Sequence, residues 1–380
     1  MKILHICSDY SKQKLYSELL THLSDQDISQ LMYVPVRTEK EIGKYDVSNQ
    51  KNIQIRYSFV LRLLHRFLFK RKIKTVFSDL IEKIEPKEYD LIHAHFLFSD
   101  GAVALELYKR FQIPYVVSVR NTDFNFFFKY YKHLKGYGNE ILNNARKITF
   151  VTPSYKSVVK NKYVSSYLMD SFENKCTILP NGLSDFWFSS DRSNLLKNNS
   201  ESLKLLYVGD FTPNKNVESI IDSAIKLQNE GFKVSLTLVG GGGKGSKKTM
   251  NKISSTSDRQ ITFLGRINDR EKLKQIYREH DIFVMPSFRE TFGIVYIEAI
   301  SQGVPIVYTK NQGVDGYFSE NKKPGLAVNP NDTDEIVEAI KVVWKNIEKF
   351  SVNALSVAEQ FHWDLIVDKL FKIYKSNAHE

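Results

Sequence analysis

The sequence predicts an α/β protein built from two Rossmann-like domains, and three observations lead to that prediction. The chain has 380 residues, which is enough for two domains that each bury a core. Short apolar runs typical of buried strands alternate with helical patterns along the whole chain, which indicates parallel sheets covered by helices. A polar segment at residues 189–202 divides this series and is the best candidate for a linker.

The first half, residues 1–190, is predicted to form the N-terminal domain. Its buried strands are expected at residues 3–7, 31–34, 91–95, 115–119 and 148–151, with helices around residues 12–24, 72–85, 101–111 and 137–145.

The second half, residues 203–355, is predicted to form a second domain of the same type. Its strands are expected at residues 203–208, 234–239, 261–264, 282–285 and 306–308, and residues 356–380 contain a final helix that includes Trp363. The D-x-D sequence Asp332-Thr333-Asp334 directly precedes a helical pattern, so helix capping is a better interpretation than metal binding.

Composition favours a cytoplasmic protein. No apolar run reaches the length needed to span a bilayer, and the chain begins with a strand-like segment instead of a signal-peptide pattern. Cys7 and Cys176 lie in apolar runs and are expected to fill core, not to form a disulfide. The net charge is +11, and residues 1–200 hold most of it, with 30 Lys/Arg against 20 Asp/Glu.

A basic stretch at residues 51–74 accounts for much of this asymmetry. It carries eight Lys/Arg interleaved with apolar residues, and no acidic residue occurs between Asp46 and Asp79. This pattern predicts either a surface that docks reversibly on an anionic membrane or an ordinary surface helix. No nucleic-acid motif accompanies it.

The segment from Ser287 to Ile300 carries the strongest chemical signal. A buried strand ends at Pro286, and a helix is predicted from Gly293 to Ser301, so free N–H groups and the positive end of the helix dipole converge on one point. That point suits a phosphate. Glu290 and Glu298 flank it eight positions apart, about two helical turns, and each could accept hydroxyls of a sugar.

Together with Gln302-Gly303-Val304-Pro305-Ile306-Val307, this segment resembles the E-x7-E signature of the retaining nucleotide-sugar glycosyltransferases of family 4. The resemblance implies two Rossmann-like domains facing across a cleft (the GT-B fold), with the final helix returning to the first domain. It also implies that Glu298 holds the donor ribose and Glu290 the donor sugar. The diphosphate would be bound by Lys215 and by the backbone of Thr291, Phe292, Gly293 and Ile294.

Lys215 lies in a loop, Gly209-Asp210-Phe211-Thr212-Pro213-Asn214-Lys215, that resembles the glycine-then-basic loop of the family. Asp210 stands where the family usually has arginine, which removes one positive charge from the expected phosphate site. We expect Arg266, at the end of a neighbouring strand, to compensate in part.

Candidate residues of the first half follow its strands. His95 matches the family histidine beside the reacting centre. His93, two residues earlier, lies on the same face of the strand, so metal binding by the two histidines is a less favoured alternative. Arg120 and Asp123 match the acceptor loop, although Asn121 replaces the family glycine. The aromatic residues at 124–131 either stack on acceptor sugars or form core. Asn181 belongs to a Pro-Asn-Gly turn like that of the family, and the resemblance implies that it contributes to donor binding.

The glycines between Gly240 and Gly245 fit a dinucleotide motif only formally, and close backbone approach to the donor is the better interpretation. We therefore expect no cofactor and no metal, with a nucleotide diphosphate-sugar as co-substrate and a saccharide or lipid-linked saccharide as acceptor. The function expected is a retaining, metal-independent glycosyltransferase of surface polysaccharide or glycolipid biosynthesis, cytoplasmic and peripheral on the inner face of the cell membrane. A non-catalytic nucleotide-sugar-binding member and a sugar-nucleotide epimerase remain alternatives.

Overall fold

The computed structural model describes residues 1–120, 122–188, 195–198, 200–256 and 260–378, without the side chains of Phe124 and Asn125. Half of the predicted linker therefore lies outside the described residues, as does Asn121. Two compact units are present. The first comprises Met1–Val151, Tyr155–Gly182 and Trp363–Glu380, and the second comprises Thr152–Ser154 and Leu183–His362.

Thirteen strands are described, and all sheet pairings between them are parallel. In the first unit they are β1 Lys2–Ile6, β2 Ser29–Val36, β3 Ile53–Phe59, β4 Leu91–Ala94, β5 Tyr115–Val119, β6 Lys147–Phe150 and β7 Cys176–Ile178. In the second unit they are β8 Leu203–Gly209, β9 Val234–Gly240, β10 Ile261–Gly265, β11 Ile282–Met285, β12 Ile306–Thr309 and β13 Gly325–Val328.

The α-helices that cover the sheets are α1 Leu15–Leu23, α2 Phe69–Lys83, α3 Gly101–Phe111, α4 Phe128–Tyr130, α5 Lys135–Asn144, α6 Pro153–Tyr163, α7 Met169–Lys175, α8 Val217–Asn229, α9 Ser246–Ser254, α10 Arg270–Arg278, α11 Ile294–Ser301, α12 Thr333–Lys345, α13 Ile347–Ala358 and α14 Trp363–Lys375. In the part of the chain that the structure describes, none of these helices is both long and apolar enough to cross a bilayer.

Both sheets have the strand order of a doubly wound fold. The order is β3-β2-β1-β4-β5-β6-β7 in the first unit and β10-β9-β8-β11-β12-β13 in the second. In each sheet the winding reverses between its first and fourth strands, and ligands of such folds bind beyond the carboxyl ends of the strands at this switch point. The predicted α/β fold with two Rossmann-like sheets is confirmed.

The sequence prediction missed three of the described strands, namely β3, β7 and β13. The final helix was predicted as one element from residue 356, whereas the structure ends α13 at Ala358 and begins α14 at Trp363. The apolar face of α14, with Trp363, Ile366 and Leu370, packs in the core of the first unit against Ile3 and Leu19. Cys7 is buried and Cys176 is half-buried, and both are free thiols.

Candidate active site

The switch point of the second unit lies between β8 and β11, and the predicted donor residues follow these two strands. After β11, Gly293 adopts φ +76° as the residue that precedes α11. A Cβ on Gly293 would lie 2.4 Å from the ring of Tyr296, so only glycine fits there. The first turn of α11 leaves backbone N–H groups without intrahelical partners, and the helix dipole adds partial positive charge. The backbone geometry from which a phosphate site was predicted is thus present at the start of α11.

Lys215 and Glu290 meet at this point. The Lys215 Nζ lies 2.7 Å from the Oε2 of Glu290, and the other carboxylate oxygen of Glu290 accepts the N–H of Thr291 at 3.0 Å. Glu290 is only 9 % exposed. The pair therefore joins the loop after β8 to the loop after β11, and the two residues predicted to bind opposite parts of a donor contact each other directly.

Two asparagines hold these loops in place. The Nδ2 of Asn214 donates to the carbonyl of Arg289 at 2.7 Å, and the Nδ2 of Asn216 donates to the carbonyls of Pro286 and Pro330 at 3.1 and 2.7 Å. Asn216 adopts φ +55°, a left-handed conformation that asparagine tolerates better than most residues. Sequence reasoning missed both asparagines, although they flank the predicted Lys215.

Glu298 lies in α11, in contact with α10. Its Oε2 accepts a hydrogen bond from the Tyr277 hydroxyl at 3.0 Å. Burial raises the pKa of Glu298 to about 7, against the opposing effects of the Tyr277 hydrogen bond and the Arg270 charge. A carboxyl group in this state changes its charge near neutral pH, which is relevant to any hydroxyl group that it binds.

Arg266 was predicted to compensate for Asp210, and the structure brings these two residues together. The Nη2 of Arg266 lies 2.6 Å from the Oδ1 of Asp210 and 3.3 Å from the carbonyl of Gly241. Both side chains are exposed. Asp210 therefore stands in place of the arginine that the family usually has, and it also engages the nearby cation Arg266 in an ion pair.

The glycines after β9 permit close packing of backbone against backbone, and their predicted approach to the donor stays a prediction. A Cβ on Gly240 would lie 1.9 Å from the carbonyl oxygen of Gly209, and the N–H of Gly241 donates to that same oxygen at 3.2 Å. The predicted capping role of Asp332 is also confirmed, because its carboxylate accepts the N–H groups of Asp334 and Glu335.

Three histidines occupy the switch point of the first unit. His5 of β1 pairs in register with His93 of β4, and the Nδ1 of His5 lies 3.1 Å from the Nε2 of His95. His93 contacts the Tyr374 hydroxyl at 2.5 Å and the Ser118 hydroxyl at 2.9 Å. All three rings are buried. Burial lowers the pKa of His5 to about 3 and those of His93 and His95 well below the ordinary value, so the rings are neutral.

This histidine cluster could in principle hold a metal, since ring nitrogens of all three residues lie within 4.8 Å of one another. Neutral imidazole is the form that binds metals. His93, however, already uses both ring nitrogens and would have to give up Tyr374 or Ser118. The arrangement therefore suits a hydrogen-bonded chain of side chains better than a ligand set. His5 was not predicted, because its proximity to His93 depends on strand register.

The predicted acceptor residues lie beside this cluster. The guanidinium of Arg120 donates to the Oδ1 of Asn181 at 2.9 Å and lies over the ring of Tyr16. Asp123 is buried, and its carboxylate accepts the backbone N–H groups of Leu97, Phe98 and Arg120 at 2.9 to 3.0 Å. Asp123 thus fixes the loops after β4 and β5, and its contact with an acceptor stays a prediction.

The basic stretch at residues 51–74 is not a single helix. It contains β3, a short 3₁₀ helix at Leu63–Arg66 and the start of α2. Four apolar side chains in its middle are exposed by 45 to 76 %, namely Leu63, Leu64, Phe67 and Leu68. Exposed cations, among them Arg62 and Arg71, accompany them. The predicted combination of charge and apolar surface is present, on a strand–turn–helix segment.

Two family models match this chain. The model of "Glycosyltransferase Family 4" matches residues 18–184, and the model of "Glycosyl transferases group 1" matches residues 190–353.

Three curated relatives illustrate the similarity. An uncharacterised glycosyltransferase of Methanocaldococcus jannaschii is 27 % identical over 305 residues, 77 % of either chain. A putative teichuronic acid biosynthesis glycosyltransferase of Bacillus subtilis is 26 % identical over 67 % of this chain and 63 % of its own length. The alpha-monoglucosyldiacylglycerol synthase of Acholeplasma laidlawii is 23 % identical over 70 % of each.

Solved structures share the fold. A sucrose-phosphate synthase from Thermosynechococcus elongatus superposes with a TM-score of 0.74 at 18 % identity and covers 99 % of this chain and 98 % of its own. The Anabaena protein HepE in complex with UDP gives a TM-score of 0.74 at 16 % identity, over 99 % of this chain and all of its own.

Proposed function

This chain belongs to glycosyltransferase family 4, since the two matching models cover residues 18–184 and 190–353, and we propose that it transfers a sugar from a nucleotide diphosphate-sugar to a saccharide or lipid-linked saccharide acceptor. Retention of the anomeric configuration and independence of metal ions and other cofactors are parts of the same proposal. The observation that carries it is the meeting of Lys215, Glu290 and the start of α11 at one switch point.

In this proposal the diphosphate of the donor binds at the start of α11, to the N–H groups of residues 291–294, and the N–H of Thr291 exchanges its hydrogen bond to Glu290 for one to a phosphate oxygen. An ammonium group has three N–H donors. Lys215 uses one on Glu290 and keeps others for phosphate oxygens, so the pair links the phosphate end of the donor to its sugar end. Glu290 would orient the sugar hydroxyls and Glu298 the ribose. Fixed N–H groups and a lysine stabilise charge on the departing diphosphate, which is the main catalytic task.

The acceptor side is assigned to the first unit. His95 would act beside the reacting centre. Burial lowers the pKa of its ring well below the ordinary value, so the neutral ring, which contacts His5, suits orienting a hydroxyl better than accepting a proton. Arg120 and Asn181 form a hydrogen-bonded pair next to it, in which Arg120 would bind acceptor hydroxyls and Asn181 would contribute to donor binding.

Relatives support a role in assembling a surface polysaccharide or glycolipid. The names of two of them refer to teichuronic acid biosynthesis and to a glucosyldiacylglycerol synthase. The exposed cations and apolar side chains of residues 51–74 suit reversible attachment to an anionic membrane surface, where such acceptors reside. We therefore propose a cytoplasmic enzyme peripheral on the inner face of the cell membrane.

The donor proposal is tested by thermal unfolding with UDP-, GDP-, ADP- and TDP-linked sugars in the presence of EDTA. A ligand at about 100 times its dissociation constant adds about 2.7 kcal/mol of stability, which a melting curve detects. One nucleotide class should stabilise the wild type and the control Glu348→Ala, an exposed glutamate of α13, but not Glu298→Ala. Equal stabilisation of Glu298→Ala would contradict the role of Glu298, and stabilisation only when a divalent ion replaces EDTA would contradict metal independence.

A second candidate function is a non-catalytic member that binds a nucleotide-sugar. The Asp210–Arg266 ion pair favours it, because the site lacks one arginine and has a second one engaged. The transferase and the non-catalytic member are distinguished by prolonged incubation with the stabilising donor and a panel of acceptors, followed by mass spectrometry. A glycosylated acceptor supports the enzyme, and a bound donor that is never consumed supports the second candidate. An altered sugar on the nucleotide would indicate an epimerase.

A further inference from the structure

A cavity of about 430 Å³ opens at the carboxyl edge of the first sheet. Segments that follow four neighbouring strands form its walls, namely Asp9 after β1, Arg37 after β2, Leu61 after β3 and Ser99 after β4. Ligands of doubly wound sheets bind at this edge. Of the residues named above as candidates for donor, acceptor or reacting centre, this cavity is lined only by Phe126, Phe127 and Tyr131 from the aromatic run at 124–131, and its cationic walls form a further candidate site.

Positive charge dominates the walls. Four cationic side chains line the cavity, those of Lys12, Arg37, Arg66 and Lys72, against the two acids Asp9 and Glu41. Both acids are engaged locally. Asp9 pairs with Lys12, and the Oε2 of Glu41 accepts the N–H groups of Arg37 and Thr38 at 2.8 and 2.9 Å.

Arg37 and Arg66 lack such compensation, whereas the charges of Asp100 and Asp9 partly offset the lowering of the Lys72 pKa by burial. Over the described ranges, no carboxylate lies within ion-pair distance of Arg37, Arg66 or Lys72. The Nε of Arg37 is buried without a hydrogen-bond partner. The Nζ of Lys72 donates to the Ser99 hydroxyl at 2.8 Å. Asp100, behind the wall, accepts the N–H of Ser8. Because a buried donor without a partner is costly, these groups favour an anion with several acceptor oxygens.

Aromatic side chains also line the cavity, and two of them extend to the exposed surface. Phe69 and Phe127 pack edge to face at a centroid distance of 5.7 Å, and the Tyr131 hydroxyl donates to the carbonyl of Arg66 at 3.1 Å. Phe67 and Phe126 line the same cavity while 76 % and 45 % exposed. Exposed rings at the mouth of a cationic cavity suit a molecule in which an apolar chain adjoins the anionic group.

We propose that this cavity binds a phosphate-bearing amphiphile, with the phosphate oxygens at Arg37, Lys72 and Arg66 and the apolar chain along Phe67 and Phe126. The inference rests on the proposed function in one respect, because it identifies the amphiphile as the acceptor. The cationic half alone would accept a free phosphate or diphosphate, and the aromatic rim adds selectivity for the chain.

The test uses the full-length protein and isothermal titration calorimetry at pH 7. Three probes separate the two halves of the site, namely farnesyl diphosphate below its critical micelle concentration, inorganic diphosphate and farnesol. Farnesyl diphosphate should bind at least tenfold more tightly than either of the others. Equal affinity for inorganic diphosphate would overturn the apolar part of the proposal, and equal affinity for farnesol would overturn the anionic part.

Variants locate the binding. Lys72→Met and Arg37→Met remove one charge each from different walls, and each should weaken farnesyl diphosphate binding about tenfold or more, as expected for a charge-assisted hydrogen bond. Lys74→Met is the matched control, since Lys74 is exposed on the same helix and does not line the cavity. Phe67→Ala should weaken binding of farnesyl diphosphate and leave inorganic diphosphate unchanged. Unchanged affinity in both charge variants, with melting curves like wild type, would overturn the site.

Thermal unfolding with nucleotide-sugar donors, measured on the same protein preparations, distinguishes this inference from the proposed function. Glu298→Ala should lose donor stabilisation and still bind farnesyl diphosphate. If a donor stabilises the protein but the amphiphile does not bind, the cavity proposal fails alone. If the amphiphile binds as described and no nucleotide-sugar stabilises the protein, the proposed function fails and the amphiphile site remains.

Discussion

If Glu298 binds the donor ribose as proposed, the dissociation constant of the donor depends on pH in a predictable direction. Its pKa is raised to about 7, mainly by burial, so the carboxyl group is mostly protonated at pH 6 and mostly ionised at pH 8. In the proposed role the ionised form would accept hydrogen bonds from two ribose hydroxyls, and Tyr277 and Arg270 favour this form. A group that titrates at pH 7 changes its ionised fraction about tenfold between pH 6 and pH 8.

We therefore expect the dissociation constant of the donor to fall by up to about tenfold from pH 6 to pH 8. The diphosphate diester of a nucleotide-sugar does not titrate in this range, so the trend reports on the protein. Calorimetric titration at both pH values measures it, with Glu298→Gln as the comparison. The variant should bind more weakly and without this trend, and a trend that persists in Glu298→Gln would assign it to another group.

Asp210 offers a second prediction for a single residue. Asp210→Asn removes a negative charge from the donor site and releases Arg266, while exposed ion pairs contribute about 0–1 kcal/mol. We expect donor affinity to rise about two- to fivefold, measured by calorimetry. Asp222→Asn is the control, because it removes another surface pair of the same unit, with Lys252. Weaker donor binding in Asp210→Asn would mean that Asp210 itself contacts the donor.

Sequence reasoning could identify a candidate site residue when a local motif positions it, and it missed residues whose positions depend on partners distant in the sequence. Glu290, Glu298 and Lys215 belong to local motifs that follow β11 and β8, so the sequence was sufficient to propose them as candidates. His5 and Asn216 depend on partners far away in the sequence, His93 in register and the carbonyl of Pro330. The Asp210–Arg266 pair likewise joins residues from different strands.

At the level of elements, the strands that sequence reasoning missed lie at the edges of the sheets. β3 and β7 border the first sheet, and β13 borders the second. Central parallel strands are buried on both faces and appear as continuous apolar runs, whereas an edge strand is partly exposed and contains polar residues. In β3 the alternation of Ile53, Ile55, Tyr57 and Phe59 was present, but basic residues obscured it. β7 and β13 have only three and four residues.

The basic stretch at residues 51–74, from β3 to the first turns of α2, leads to a prediction about membrane binding. Each Lys or Arg near an anionic surface contributes about 1 kcal/mol. Arg62→Gln with Arg71→Gln should therefore reduce binding to anionic vesicles about 30-fold, and Leu63→Ser with Leu64→Ser should reduce it as well because both leucines are more than half exposed. Vesicle sedimentation measures the effect.

Leu365→Ser is the control for the apolar pair, since Leu365 is 53 % exposed on α14, in a different part of the first unit. Zwitterionic vesicles should bind all variants weakly. If neither double variant changes sedimentation with anionic vesicles, residues 51–74 form an ordinary protein surface.

For the whole molecule, the path of the chain is the main constraint. The chain leaves the first unit after Gly182 and re-enters it at Trp363. A Cβ on Gly182 would lie 2.2 Å from the ring of Trp363, which is itself buried and stacked on His22. The Pro-Asn-Gly turn thus needs its glycine for the packing of α14.

Gly182→Ala should consequently destabilise the first unit by about 1–3 kcal/mol, the usual range for an overpacked core. It should also make α14 more sensitive to proteolysis. Differential scanning calorimetry and limited proteolysis measure the two effects, and separate transitions are expected because the chain has two units. Gly136→Ala is the control, since a Cβ there meets nothing within 4 Å. Unchanged melting of Gly182→Ala would mean that Trp363 can shift without loss.

The same chain path decides how the two halves can be produced separately. A fragment that ends at Gly182 lacks α14 and would expose the apolar surface around Ile3, Leu19 and Val116. Met1 and Ala378 pack against that same cluster, so a short linker could join them. A circular permutant that begins at Trp363, passes through this linker and ends at Gly182 would encode the first unit as one uninterrupted polypeptide.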